Sequence, residues 1–324
     1  MTPPVDGTHR PLRILFSVPM ERGDRRASRF WLEPLTAALP DAEILIPAEL
    51  SDPAAIDYAL VWKPAPGLLG SLPNLRAVFS LGAGVDGILA DPTFPREVPL
   101  VRLIDDGLTR GMTEWVVLQV LFHHRKMGLF LQQQRAAEWR VQLAVPAART
   151  RIGVMGLGVL GRDAATALQG LGYDVAGWSR TPKDAAFATF AGEAGLGPFL
   201  ARTEILVCLL PLTDATRGIL NSALFDRLPR GAIIVNAGRG AHLVEPDLLG
   251  ALDSGQIGGA SLDVFATEPL PPAHPFWQHP RIVITPHCAS ITDPHAIAAR
   301  MAENIARDRS GAAMVGVVDV ARGY

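Results

Sequence analysis

The feature that most narrows what this chain can fold into is a six-residue stretch near its middle, Gly156-Leu157-Gly158-Val159-Leu160-Gly161. It follows the aliphatic run Ile152 to Met155 and opens a helical pattern through Ala164, Ala165 and Leu168. Strand, glycine-rich turn and helix in that order make a dinucleotide-binding unit. The first glycine permits the tight turn, the second lets the backbone approach a pyrophosphate, and the third lets helix and strand pack closely. The helix N-terminus adds unpaired N–H groups and positive potential. All six residues are therefore candidate cofactor contacts.

The next strand end says which dinucleotide. About 20 residues beyond such a turn, an NAD site carries an Asp or Glu for the ribose hydroxyls. Here the run Asp174 to Trp178 ends in Ser179-Arg180-Thr181, with no carboxylate. Hydroxyls and a guanidinium receive a 2′-phosphate that an acidic group would repel. NADP(H) is expected in preference to NAD(H), which the turn does not exclude.

A chain of 324 residues exceeds one ordinary hydrophobic core, so two domains are expected. Before the glycine turn, short runs recur at Ile14 to Val18, Ile44 to Ile46, Ala59 to Trp62, Ala77 to Ser80 and Leu100 to Ile104, as buried parallel strands do. Helical or turn-rich segments at Trp31 to Leu39 and Asp52 to Tyr58 separate them, which is α/β alternation. A long helix is expected from Thr113, as N-cap, to Trp139, interrupted only at Gly128. A last helix opens at Asp293-Pro294, carries Ile297, Met301 and Ile305 at helical spacing, and closes near Gly311.

Composition removes several classes of function. The net charge of −2 and the lack of a Lys/Arg cluster give no footprint for nucleic acid or an anionic membrane. No apolar stretch reaches membrane-spanning length, and Met1 to Pro11 lacks a signal-peptide core. Cys208 and Cys288 have no paired spacing, so neither a disulfide nor zinc is expected and a reducing cytoplasm fits. No metal is expected either, since His123, His124, His242, His274, His279 and His295 lack ligand spacing. Cys288 is read as a small packing residue.

Three later strand ends carry polar residues, which is where ligands sit in an open parallel sheet. They are Asn236-Ala237-Gly238-Arg239-Gly240, Asp263 with Glu268-Pro269 in the following loop, and Thr285-Pro286-His287. With the glycine turn, the run Leu262-Asp263-Val264-Phe265 and Glu268-Pro269-Leu270, these segments resemble the D-isomer-specific 2-hydroxyacid dehydrogenase family over nearly the whole chain. Trp178 to Thr181, Leu81-Gly82-Ala83-Gly84-Val85-Asp86 and Ala321-Arg322-Gly323-Tyr324 resemble its glyoxylate/hydroxypyruvate reductase branch.

The resemblance implies two Rossmann-like, doubly wound parallel-sheet domains. A flavodoxin-like substrate domain would take residues 1–108 and 289–324, and a dinucleotide-binding domain residues 109–288. It implies reduction of a small 2-oxo acid to the 2-hydroxy acid by hydride transfer. Arg239 would bind the carboxylate and keto oxygen with its planar fork. His287 would be the proton donor, and Glu268 would fix its tautomer. Gly82, Ala83 and Gly84 would offer backbone N–H groups to the carboxylate, and Trp62 would limit substrate size. Leu210 and Pro211 would flank the adenosine, Asp263 would receive the nicotinamide carboxamide, and Ala237, Arg239 and His287 would also touch cofactor. A homodimer is expected. The alternatives are an NAD(H)-sensing, corepressor-like regulator of the same fold and a sibling dehydrogenase with a larger substrate.

Overall fold

The computed structural model describes residues 10–18, 29–103 and 105–323. The chain divides into two compact units, residues 1–105 with 292–324, and residues 106–291.

In the first unit, β1 (Leu12–Ser17), α1 (Arg29–Ala38), β2 (Ala42–Leu45), β3 (Tyr58–Val61), β4 (Ala77–Ser80), α2 (Asp86–Leu89) and β5 (Leu100–Arg102) follow in order. The strands form a parallel sheet in the order β2-β1-β3-β4-β5, the flavodoxin-like arrangement. Period-two alternation sorts its side chains. Ile14, Phe16, Tyr58, Leu60 and Phe79 enter one apolar cluster with Leu35 of α1 and with Ile297, Met301 and Ile305 of the C-terminal helix. Leu15, Ala59, Val61 and Val78 enter a second cluster with Leu69, Leu72 and Ile88. With both faces covered, the strands read as continuous apolar runs. The expected strand end at Ile104 lies outside the described residues, as do Tyr324 and most of the stretch before Pro11.

In the second unit, α3 (Asp106–His124), α4 (Met127–Arg135), β6 (Arg151–Met155), α5 (Val159–Gly170), β7 (Asp174–Ser179), β8 (Ala188–Ala191), α6 (Gly192–Arg202), β9 (Ile205–Cys208), α7 (Ser222–Phe225), β10 (Ala232–Asn236), α8 (Glu245–Ser254), β11 (Ile257–Leu262) and β12 (Ile282–Ile284) follow. The parallel sheet runs β12-β11-β10-β9-β6-β7-β8. This is Rossmann order with one strand added, and the chain reverses direction across the sheet between β6 and β9. The last helix, α9 (Pro294–Arg309), returns to the first unit; Asp293 caps it by accepting from the His295 N–H at 3.0 Å.

The single helix expected from Thr113 to Trp139 is corrected at both ends. It starts at Asp106 and runs through Gly111, which packs closely on Ser290: a Cβ there would lie 3.0 Å from the Ser290 hydroxyl. Thr113 is no cap; its hydroxyl hydrogen-bonds Asp163 at 2.5 Å. The helix breaks at Lys126, whose φ of 57° is left-handed, and α4 ends at Arg135, leaving Trp139, itself fully exposed, in the loop that follows. Among the described residues no helix is long and apolar enough to cross a membrane.

Candidate active site

The glycine turn lies at the carboxyl end of β6, where the strand order reverses and where open α/β sheets bind ligands. Gly156 has φ 101°, and a Cβ on it would sit 2.6 Å from the Leu209 carbonyl oxygen. A Cβ on Gly161 would lie 1.8 Å from the Gly156 oxygen, so helix and strand close to a distance only glycine allows. At Gly158, the N-cap of α5, a Cβ would meet nothing within 4 Å. Two crowded glycines flank one open one, so the turn leaves room for a pyrophosphate where the first N–H groups of α5 begin. A dinucleotide fits this cradle.

At the end of β7 the Ser179 hydroxyl donates to the Thr181 carbonyl at 2.8 Å. Its proton is spent shaping the turn, while Arg180 and Thr181 are exposed. Across the switch point, Leu210 is buried after β9, and the Pro211 carbonyl accepts from the Thr216 hydroxyl at 2.7 Å.

Three neighbouring strands, β10, β11 and β12, carry the remaining polar residues at their carboxyl ends. After β10, the fully buried Asn236 pins the turn, donating from Nδ2 to the Arg239 carbonyl at 3.1 Å and accepting the Gly238 N–H at 3.1 Å. Ala237 is buried inside that turn. The Arg239 guanidinium donates to the Gly238 carbonyl at 2.9 Å, and its backbone N–H donates to His242 Nδ1 at 3.0 Å. A Cβ on Gly240 would fall 1.9 Å from the Phe265 carbonyl carbon, so this turn presses on the loop after β11. In that loop, Glu268 Oε1 accepts the Phe265 N–H at 3.1 Å and Oε2 meets His287 Nδ1 at 2.8 Å. The His–Glu pair is half-buried.

His287 adopts a left-handed φ of 53°. A non-glycine residue there is strained by about 1–2 kcal/mol, and Asp263 holds the conformation. The Asp263 carbonyl accepts the His287 N–H at 2.8 Å. Its carboxylate, buried at 2 % exposure, accepts from the Thr285 hydroxyl at 2.6 Å and from the N–H groups of Cys288 and Ala289 at 2.9 and 3.0 Å. Asp263 is thus an organiser of the His287 loop. Thr285 accepts from Trp115 Nε1 of α3 at 3.2 Å. One and two turns further along α3, Gln119 Oε1 accepts from the Ser261 hydroxyl and His123 Nε2 meets the same oxygen, each at 2.8 Å.

Cys288 is exposed rather than packed. Strand alternation has ended by His287, whose left-handed φ turns the chain. Partial burial and the nearby Asp263 charge push its thiol above the ordinary value, away from the thiolate a nucleophile needs. Among the described residues no group of three His, Cys, Asp or Glu side chains could hold a metal.

In the first unit, Trp62 follows β3 and lies against Gly82, whose Cβ would be 3.5 Å from the indole Cδ1; Lys63 Nζ sits 5.2 Å from the Trp62 ring centroid. The Ser80 hydroxyl engages the carbonyls of Gly82 and Gly84 at 3.0 and 3.5 Å. Among the described residues the N–H groups of Gly82, Ala83 and Gly84 have no acceptor. No left-handed φ occurs in this loop, so it is a bend rather than an alternating αR-αL nest.

Sequence reasoning named Asn236, His242 and His123 without these roles and did not single out Trp115 or Gln119, which form one stripe with His123. The stripe had a signal, a four-residue spacing on one helix face. His242 had one too, since it follows Arg239 within a single turn.

A glycine cradle at the switch point, with an arginine and a carboxylate-paired histidine on the two strand ends that flank β11 of the same sheet, defines a dinucleotide-dependent oxidoreductase. Residues 117–289 match the family model for the D-isomer specific 2-hydroxyacid dehydrogenase NAD binding domain. Glyoxylate/hydroxypyruvate reductase A of Yersinia enterocolitica is 45 % identical over 300 residues, 91 % of this chain and 96 % of the relative. The corresponding reductase of Serratia proteamaculans is 44 % identical over the same shares. Among solved structures, the NADPH-dependent glyoxylate/hydroxypyruvate reductase of Sinorhizobium meliloti, in complex with NADP and sulfate, superposes with a TM-score of 0.90 at 42 % identity, covering 97 % of this chain and 100 % of that one. A D-isomer specific 2-hydroxyacid dehydrogenase of Xanthobacter autotrophicus, in complex with NADPH and MES, also gives 0.90, at 40 % identity and the same coverage. The chain belongs to the D-isomer specific 2-hydroxyacid dehydrogenase family.

Proposed function

We propose that this chain reduces a small 2-oxo acid of the glyoxylate or hydroxypyruvate type to the 2-hydroxy acid, using NADPH. The observation that carries the reading is the 2.8 Å pair between His287 Nδ1 and Glu268, whose loop after β11 adjoins the Arg239 turn after β10. The relatives named above support the substrate class, and the nucleotides in the two solved structures support NADPH.

NADPH held at the Gly156 to Gly161 turn would supply a hydride to the keto carbon. Arg239 grips the carboxylate and keto oxygen and draws electron density toward that oxygen. With Nδ1 held by Glu268, His287 delivers its proton from Nε2 to the oxygen as the C=O π pair moves onto it, giving the hydroxyl; in the reverse direction the same nitrogen takes the proton back. Gly82, Ala83 and Gly84 give the carboxylate their N–H groups, and Trp62 limits the side chain that follows the keto carbon. Gly156 to Gly161 cradle the pyrophosphate, Arg180 and Thr181 take the 2′-phosphate on the turn that Ser179 shapes, Leu210 and Pro211 flank the adenosine, and Ala237 and Asp263 border the nicotinamide. On this reading the first unit is the substrate domain and the second the cofactor domain.

We further propose a homodimer working in the reducing cytoplasm, where the free thiols of Cys208 and Cys288 persist. The test of activity is initial-rate oxidation of NADPH and of NADH with glyoxylate, hydroxypyruvate, pyruvate and phenylpyruvate. Fast NADPH-dependent turnover of the two smaller polar acids is the expected result. Tight NADPH binding without turnover of any acid would overturn it.

A further inference from the structure

The catalytic reading leaves unexplained a completely buried histidine between two loops. His242 is fully shielded from solvent, yet both ring nitrogens meet backbone polar groups. Nδ1 accepts the N–H of Arg239 at 3.0 Å, and Nε2 lies 3.3 Å from the Pro211 carbonyl oxygen. A ring nitrogen that accepts from an amide carries no proton, so the proton is on Nε2 and is donated to Pro211. Pro211 belongs to the loop after β9, and Arg239 to the turn after β10.

The ring also sets the path of the chain between those contacts. A Cβ on Gly238 would fall 2.9 Å from Nδ1 and 3.0 Å from Cε1 of His242, so the imidazole lies flush on the residue whose carbonyl receives the Arg239 guanidinium. The carbonyl of His242 in turn accepts the Leu220 N–H at 2.8 Å, fixing the far side of the residue. An apolar side chain of the same bulk would fill the space but leave the Arg239 N–H without an acceptor.

We propose that His242 is a positioning residue, a neutral imidazole in the Nε2–H tautomer that ties the backbone of the substrate-binding Arg239 to the Pro211 loop of the cofactor site. This rests on the function proposed above. The two bonds have separate consequences: the Nδ1 bond aims Arg239 and so acts on the 2-oxo acid, whereas the Nε2 bond steadies Pro211 and so acts on NADPH.

Two substitutions separate them. In His242→Asn the carboxamide reaches the place of Nδ1 and can still accept from Arg239, but not the place of Nε2. In His242→Gln the carboxamide reaches the place of Nε2 and can donate to Pro211, but leaves the Arg239 N–H unpaired. The expected result is a KM for glyoxylate raised about tenfold in the Gln variant and little changed in the Asn variant, with the KM for NADPH raised chiefly in the Asn variant. Equal changes in both variants, or losses that only track a lowered melting temperature, overturn the proposal. A wild-type protein without 2-oxo acid turnover would defeat the proposed function instead. His242 is then read directly, from the ring ¹⁵N shifts of ¹⁵N-histidine-labelled protein and from hydrogen exchange at the Arg239 amide. A protonated Nε2 and bare Nδ1, with exchange accelerated in the Gln variant alone, support it; a protonated Nδ1 overturns it.

Discussion

A histidine that hands a proton to a substrate must present one chosen nitrogen, and at His287 the choice is made by the carboxylate of Glu268 on the other. The backbone is no less constrained, since a left-handed φ is kept in place by bonds that converge on Asp263. Removing the ring therefore takes away the acid and leaves the loop's anchors intact. His287→Ala is expected to lower kcat on the order of 10²–10⁴-fold while NADPH affinity, measured by quenching of protein fluorescence, stays near wild type. A kcat within a few-fold of wild type would show that the proton comes from elsewhere. The cofactor end is governed by a different residue. Arg180 ends a strand without a carboxylate, so Arg180→Asp places a negative charge where a 2′-phosphate would lie. The ratio of kcat/KM for NADPH over NADH should fall by about tenfold or more. An unchanged ratio would mean that Arg180 is only a solvated charge.

At the scale of elements, the β6 to α5 unit was legible because each of its glycines answers to a distinct steric demand, and the strands because burial on both faces leaves unbroken aliphatic runs. Helix α3 was not legible at its start, because Thr113 looks like an N-cap until its hydroxyl is seen on Asp163 and the helix is seen to begin at Asp106. Nor was its end, since the left-handed residue is Lys126 and not the nearby Gly128. The Arg239, Glu268 and His287 set was visible as polar residues beside strands. Its supports were not, because the roles of Asn236, His242 and Trp115 depend on contacts made after folding. The α3–β11 contact carries a pH signature of its own. Burial pushes the His123 imidazole down to about 4, so it stays neutral in the folded chain while the unfolded chain protonates near 6.5. The unfolded state then binds the extra proton between those values, and stability falls as pH drops from about 6.5 to about 4, by about 3 kcal/mol at most. Chemical denaturation across that range should show a slope that His123→Gln reduces; identical slopes would remove His123 as the cause.

For the whole molecule, the telling stretch is a run of exposed apolar side chains after α4. Trp139 is 100 % exposed, Val141 74 %, Leu143 83 % and Val145 52 %, while Gln142 between them is less exposed and Gln133 of the preceding helix is buried. Met127, Leu129 and Leu131 of α4 are exposed as well. A lone exposed apolar side chain needs no explanation, but a contiguous exposed apolar series is the composition of an interface. Because closed two-fold pairing is the commonest way for a chain to cover such a surface, a second copy of this chain is the expected occupant. The segment is secured where it rejoins the body, as His124 binds the Val145 carbonyl at 2.6 Å and the Tyr173 hydroxyl at 2.7 Å. Its surface is thus held ready rather than formed on contact, which lowers the ordering cost of association. Paired Trp139→Asp and Leu143→Asp substitutions should put desolvated charge into the contact and shift sedimentation from dimer to monomer at micromolar concentration. The dependence of the melting temperature on protein concentration, which dimerisation imposes, should vanish with it. A wild-type chain that sediments as a monomer, or a double variant that remains a dimer, would rule this segment out as the seam.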